Sequence, residues 1–159
     1  MRKIFLSALA CIFIVYGALS AQENQDEPKK YLSDMNRIVI EVEEAVRNVG
    51  LKILPPRNAS EQIAASIEKF KVLAPPKLFS EDHNALLSAF EYLRDGLKLF
   101  SENQNEKASE LVRKGGAVFQ TAARSIKATA EREGLIPAKP KEHELVKPEL
   151  VKNGTEPEK

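Results

Sequence analysis

One row of residues in the middle of the chain constrains the fold more than any other feature. The row consists of Phe79, His83, Leu86, Phe90, Leu93, Leu97 and Phe100, which step by 4, 3, 4, 3, 4 and 3 residues. This spacing places the side chains on one face of an α-helix, in the heptad-like pattern of a helix that packs lengthwise against others in a bundle. We call these residues the apolar seam.

Three further segments have apolar residues at helical spacing. They extend from about Tyr31 to Val49, from Asn58 or Ser60 to about Leu73, and from about Asn105 to Glu133. Proline pairs and glycines separate the four segments by short connections, and no segment alternates at period two for long enough to predict a strand. The sequence therefore predicts an all-α protein, a four-helix up-down bundle, with Ser80 as the cap of the third helix.

The composition changes on either side of the bundle, which we place at residues 31–134. Residues 1–21 are interpreted as a signal peptide and residues 22–30 as a flexible linker. Residues 135–159 are rich in Lys, Glu and Pro and too poor in apolar side chains to order themselves, so we expect a disordered charged tail.

The signal peptide is predicted from the order of its parts. Arg2 and Lys3 precede an apolar run over residues 4–19, and small residues follow, which suits cleavage after Ser20 or after Ala21. The alternatives are a retained N-terminal membrane anchor, for which the run is short, and lipidation of Cys11. We expect an exported protein, periplasmic or secreted, that contacts a membrane only if this segment is retained as an anchor.

Composition argues against several classes of function. Cys11 is the only cysteine, so a chain without its signal has no disulfide and no thiol chemistry. Subtracting Arg2 and Lys3 from the 24 basic residues leaves 22, against 23 acidic ones. This balance lacks the basic excess that selects phosphate backbones, so no nucleic-acid partner is expected.

The sequence contains no arrangement typical of an enzyme. Nucleophile-elbow, phosphate-loop and haem-attachment motifs are missing. The carboxylates Glu41, Glu43 and Glu44, and the pair Glu91 and Asp95, are expected on solvated helix faces. We predict a protein that is not an enzyme, with no catalytic residues and no cofactor.

The residues best suited to bind a ligand lie on or near the apolar seam. His83 is the polar member of the seam, and the interior glycines Gly115 and Gly116 predict a close helix approach or a bend. A slot between these glycines and Phe90 and Leu93 would suit a small hydrophobic molecule. No metal site is expected, because a lone helix histidine lacks a second ligand, and a structural hydrogen bond is the simpler role for His83.

The stretch from Ala74 to Leu87, with its proline pair, then a helix with a histidine in its first turn, resembles an element of small exported bacterial helical proteins. The resemblance extends from about Tyr31 to Gly134. It implies a bacterial envelope setting and a helical fold, and it carries over no functional residue.

These observations lead to two hypotheses. The first is a non-enzymatic protein-interaction module of the cell envelope or periplasm, with an unknown protein partner, a tail that tethers or recruits, and possible homo-oligomerisation. The alternative is a binder of a small hydrophobic ligand in a slot of the bundle.

Overall fold

The computed structural model describes residues 26–137, and these form four α-helices. The helices are α1 (Asp26–Gly50), α2 (Pro56–Lys71), α3 (Ser80–Ser101) and α4 (Asn105–Arg132), with a 3-10 turn at Lys77–Phe79 before α3. No strand occurs among the described residues, so the predicted all-α four-helix fold is confirmed. The predicted signal peptide and the tail from residue 138 onward lie outside the described residues.

The helices run up and down, each antiparallel to the next. The extensive contacts are those of α1 with α2, α2 with α3 and α3 with α4. Lys69, late in α2, donates to Glu41 in α1 at 2.8 Å. Ser125, late in α4, donates to Asp82 at the start of α3 at 3.1 Å. The short connections explain this order, because they leave consecutive helices no room to run parallel.

The apolar seam forms the centre of the core. Its members from Phe79 to Leu97 are buried, and Phe100 packs against the core from its edge. Phe90 contacts Phe70 of α2 edge-on, with ring centroids 5.1 Å apart, and lies 6.2 Å from the ring of Phe119 in α4. The seam therefore binds the helices on both sides of α3 into one core.

The helix α1 begins at Asp26, so the prediction of a flexible linker up to residue 30 was wrong for residues 26–30. Asp26 and Glu27 occupy the first turn, where negative charge interacts favourably with the positive end of the helix dipole. The buried Tyr31 then anchors this turn to the core. None of the helices described in residues 26–137 combines the length and the apolar character needed to cross a membrane.

The predicted serine cap of α3 was also wrong. The 3-10 turn leads directly into the helix, and Ser80 is its first residue, with its hydroxyl 3.4 Å from the Pro76 carbonyl that accepts its hydrogen bond. The second helix begins at Pro56. Proline is favourable at the first position of a helix, because the N–H that it lacks would have no partner within the helix there. Ser60 therefore lies within α2, where its hydroxyl donates to the Arg94 carbonyl at 3.0 Å.

The bundle ends beyond Gly134, slightly later than the predicted boundary. Gly134 has φ of +67° and terminates α4, as its sequence position indicated. The chain then turns back, since the Leu135 N–H donates to the Ala130 carbonyl at 2.8 Å and Ile136 is buried. Residues 135 and 136 therefore belong to the core rather than to the tail.

Candidate functional site

The end of the bundle at which α1 and α3 begin contains a buried histidine. The side chain of His83 is only 6 % exposed, and its Nδ1 lies 3.1 Å from the hydroxyl oxygen of Tyr31. The imidazole stacks on the ring of Phe70 at 4.3 Å between centroids and 11° between planes. Tyr31 in turn stacks on Phe79 at 5.7 Å. Four aromatic rings from α1, α2, the 3-10 turn and α3 thus meet at this end.

Burial keeps both members of the hydrogen-bonded pair neutral. It lowers the pKa of His83, because a charged imidazolium would be removed from water. Burial, and secondarily the carboxylate of Asp82, raises the pKa of Tyr31, so its phenol keeps its proton. Two neutral groups can form this bond in either direction. The Tyr31 hydroxyl donates to Nδ1 when the His83 proton is on Nε2, and Nδ1–H donates to the phenol oxygen in the other tautomer.

This arrangement gives His83 a packing role at the α1–α3 contact. The hydrogen bond is made to a phenol on another helix, not to a nearby backbone carbonyl. Within residues 26–137, no group of three His, Cys, Asp or Glu side chains is placed to hold a metal ion. The Tyr31–His83 hydrogen bond links α1 to α3 through two uncharged side chains.

The close helix approach expected at the glycine pair occurs at Gly115. A Cβ at this position would lie 3.0 Å from the Ala89 carbonyl oxygen and 3.0 Å from Cγ of Leu93. Real Cβ atoms rarely make contacts this short. The helices α3 and α4 therefore approach each other this closely because Gly115 has no side chain. A ligand slot between Gly115 and Leu93 would require the two helices to separate.

Gly116 lies on a different side of α4. A Cβ added there would meet nothing within 4 Å. Phe90, by contrast, is fully buried among aromatic rings, and His83 lies near the start of α3. Of the five residues predicted to bind a ligand, the structure therefore brings Gly115 and Leu93 into contact, and none of the five lines either of the two grooves described next.

Two open grooves lie elsewhere on the bundle. One, of about 430 Å³, is lined by Arg57, Ser60, Glu61, Lys98, Ser101 and Glu102. The other, of about 290 Å³, is lined by Glu41, Glu44, Ala45, Asn48, Gln62, Ala65, Ser66 and Lys69. Both are lined mainly by polar and charged side chains, unlike the apolar pockets typical of hydrophobic ligands.

Glu43 departs from its expected place on a solvated face. Its side chain is half-buried, and its Oε1 is enclosed without a hydrogen-bond partner among the described residues. Burial raises the pKa of this carboxyl, although Arg47 lowers it to a smaller degree. Glu41, by contrast, accepts hydrogen bonds from Lys69 and Ser66, and these lower its pKa.

Sequence reasoning missed the exposed aliphatic side chains of the helix connections. Leu51 and Ile53 are 56 % and 69 % exposed between α1 and α2, and Val72 and Leu78 are 82 % and 42 % exposed between α2 and α3. The available signal was an inexact repeat, in which a lysine, a β-branched residue and a leucine precede a proline pair and a basic residue. It reads Lys52-Ile53-Leu54-Pro55-Pro56-Arg57 first and Lys71-Val72-Leu73-Ala74-Pro75-Pro76-Lys77 second.

Comparison of the chain with models of protein families, with curated proteins and with solved structures finds no match. The resemblance to small exported bacterial helical proteins therefore stays a prediction from sequence.

Proposed function

We propose that this protein is an exported, non-enzymatic protein-interaction module of the cell envelope or periplasm. We further propose that it binds its protein partner through the α2–α3 connection, residues 72–79. The observation that carries this proposal is the exposure of two large aliphatic side chains there, Val72 at 82 % and Leu78 at 42 %. Aliphatic side chains presented at a surface gain most when a partner covers them.

The α2–α3 connection is fixed to the core next to each of its exposed side chains. Between them, Leu73 packs against the core, and its N–H donates to the Phe70 carbonyl at 3.1 Å. The proline pair then restricts the backbone, and Phe79 is completely buried. A surface held in this way loses little conformational entropy on binding, which favours recognition by a folded partner.

The charge around the connection indicates the character of the partner. Residues 69–80 contain three lysines and no acidic residue. Lys69 and Lys71 already pair with Glu41 and Glu68, at 2.8 Å and 2.9 Å. Lys77 lies between the exposed aliphatic side chains in sequence. A partner with an apolar centre and a carboxylate opposite Lys77 fits this surface best.

Site-specific photo-crosslinking in the envelope of the host tests the proposal. A photoreactive residue at position 72 should give a discrete crosslinked protein adduct, and the same residue at position 40 should not. Ile40 is a suitable control, because it is also an exposed aliphatic residue, at 41 %, but lies in the middle of α1. Replacement of Leu78 by Ser, with the crosslinker kept at 72, should reduce the adduct about tenfold.

Each outcome bears on the proposal. An adduct that is equally strong from positions 72 and 40, or that survives the Leu78→Ser change, would contradict docking at this surface. The helical circular dichroism of each variant should match that of the unmodified chain, because Val72 and Leu78 project outward.

A further inference from the structure

The α1–α2 connection, residues 51–55, lies at the other end of the bundle and has an unusual backbone. Lys52 has φ of +61°, which bends the chain sharply after α1. The N–H groups of Leu51, Lys52, Ile53 and Leu54 all donate to carbonyls in the last turn of α1, at distances of 2.8 to 3.2 Å. The turn therefore closes the C-terminal end of α1 with its own backbone.

The next two residues, Pro55 and Pro56, have no N–H to satisfy. The backbone from residue 51 to residue 56 thus contains no unpaired hydrogen-bond donor, and the first N–H groups without a partner among the described residues are those of Arg57 and Asn58 in the first turn of α2. Pairing of these donors lowers the cost of bringing the turn to the edge of an apolar medium, because an unpaired N–H would lose its bond to water there.

The side chains of this turn suit the boundary of a lipid bilayer. Leu51 and Ile53 project from it at 56 % and 69 % exposure. Lys52 lies at the tip of the turn. Arg47 and Arg57 flank it and make exposed ion pairs with Glu44 and Glu61 at 3.6 Å and 3.2 Å, which are weak at a surface. Aliphatic side chains at the tip with basic ones around them match an anionic membrane, whose acyl region is apolar and whose surface attracts Lys and Arg.

The α2–α3 connection provides a contrast within the same molecule. It also exposes aliphatic side chains, but the N–H of Ala74 has no hydrogen-bond partner in the part of the chain that the structure describes. Entry into lipid would leave this donor unpaired, whereas a protein partner can offer it an acceptor. The two ends therefore suit different surroundings.

We propose that the α1–α2 turn binds the surface of anionic lipid bilayers by inserting Leu51 and Ile53 at the boundary between headgroups and acyl chains. This site is separate from the α2–α3 connection, and the proposal does not depend on the protein partner proposed there. It also differs from an N-terminal anchor, because α1, about 37 Å long at 1.5 Å per residue, separates its own start from this turn.

The sequence contains no tryptophan, so a single introduced tryptophan reports on its position without interference. The full chain carrying Ile53→Trp is mixed with vesicles of phosphatidylglycerol and phosphatidylcholine, and its fluorescence is recorded. The emission should shift to shorter wavelength, and lipids brominated on their acyl chains should quench it. Ile40→Trp is the matched control and should show neither effect.

A second measurement compares binding to the vesicles by flotation. Leu51→Ser together with Ile53→Ser should weaken binding about tenfold or more, whereas Ile40→Ser should leave it unchanged. Binding should also weaken when salt is raised or when phosphatidylcholine alone is used, since both remove the attraction of the basic residues.

Several results would overturn the proposal. One is a tryptophan at position 53 that the brominated lipids do not quench although the chain floats with the vesicles. In that case the N-terminal segment, and not the α1–α2 turn, would hold the chain on the membrane. Another is equal quenching at 53 and 40. The photo-crosslinking at position 72 remains an independent result, since it probes the opposite end of the bundle.

Discussion

At the scale of single residues, the buried pair of His83 and Tyr31 decides how this end of the bundle responds to acid. The imidazole faces the Tyr31 phenol from α1 and the Phe70 ring from α2. The carboxylate of Asp82, next to it on α3, is engaged by Ser125 of α4, and Lys71 at the end of α2 pairs with Glu68. None of these is a cause of the shift in the His83 pKa, which burial alone lowers.

We therefore expect acid to destabilise the fold through His83. An unfolded chain takes up this proton near pH 6.5, but the folded chain takes it up only at lower pH, so the free energy of unfolding falls as pH drops below about 6.5. Urea unfolding at pH 7.5 and pH 5.5 measures this loss. The variant His83→Gln keeps a hydrogen-bond acceptor for Tyr31 and should lose less stability over the same interval. Equal losses in both chains would contradict the prediction.

Glu43 should respond to pH in the opposite direction. Its enclosed oxygen lacks a partner, so replacement by Met should raise the free energy of unfolding at pH 7 by about 1 kcal/mol. Because the folded pKa of Glu43 is raised, acid neutralises the native carboxyl first, and the advantage of Glu43→Met should shrink as pH falls.

The neighbouring Glu44 offers a control for this change. It is exposed and pairs with Arg47 at 3.6 Å, an interaction of small value at a surface. Glu44→Met should alter the free energy of unfolding at pH 7 by no more than about 0.5 kcal/mol. A comparable gain from both substitutions would show that burial of Glu43 is not the cause.

At the scale of helices, the two adjacent glycines of α4 differ in their position relative to α3: Gly115 contacts α3 and Gly116 does not. Gly115→Ala should lower the free energy of unfolding by about 1–3 kcal/mol, because the new methyl group would press on the Ala89 backbone. Gly116→Ala should raise it by about 0.5–1 kcal/mol, since that position is open and alanine favours a helix. Thermal and urea unfolding of the two variants test this pair. Stabilisation by both would mean that the helices do not touch at Gly115.

The sequence predicted the helices well where their apolar side chains repeat and poorly at their ends. The α3 seam was predicted residue by residue, because each member is buried by the same face. The start of α1 was missed, because Asp26 to Lys30 carry no apolar repeat, and the favourable placement of Asp26 and Glu27 at the positive end of the helix dipole leaves no periodic signal. The close approach was predicted for the glycine pair, but neighbours on a helix point about 100° apart, and only packing selects Gly115.

At the scale of the whole molecule, the α1–α2 and α2–α3 connections differ in their backbone hydrogen bonding, and the periodicity of the sequence does not indicate this difference. Both connections were read as breaks between helices, since proline pairs interrupt the pattern. Which side chains a connection exposes, and whether its N–H groups find partners, depends on backbone geometry such as the positive φ of Lys52. The binding surfaces proposed here therefore had to come from the structure, whereas the core could be inferred from spacing.

The up-down arrangement has a consequence for the speed of folding. Every extensive helix contact joins neighbours along the chain, so the contact order is low, and such topologies fold on the order of microseconds to milliseconds. The hydrogen bond between Tyr31 and His83 spans 52 residues, compared with 43 residues for the bond between Asp82 and Ser125 that joins α3 to α4. Helical hairpins can thus form first and independently, and α1 is secured to α3 only when the aromatic rings at that end come together.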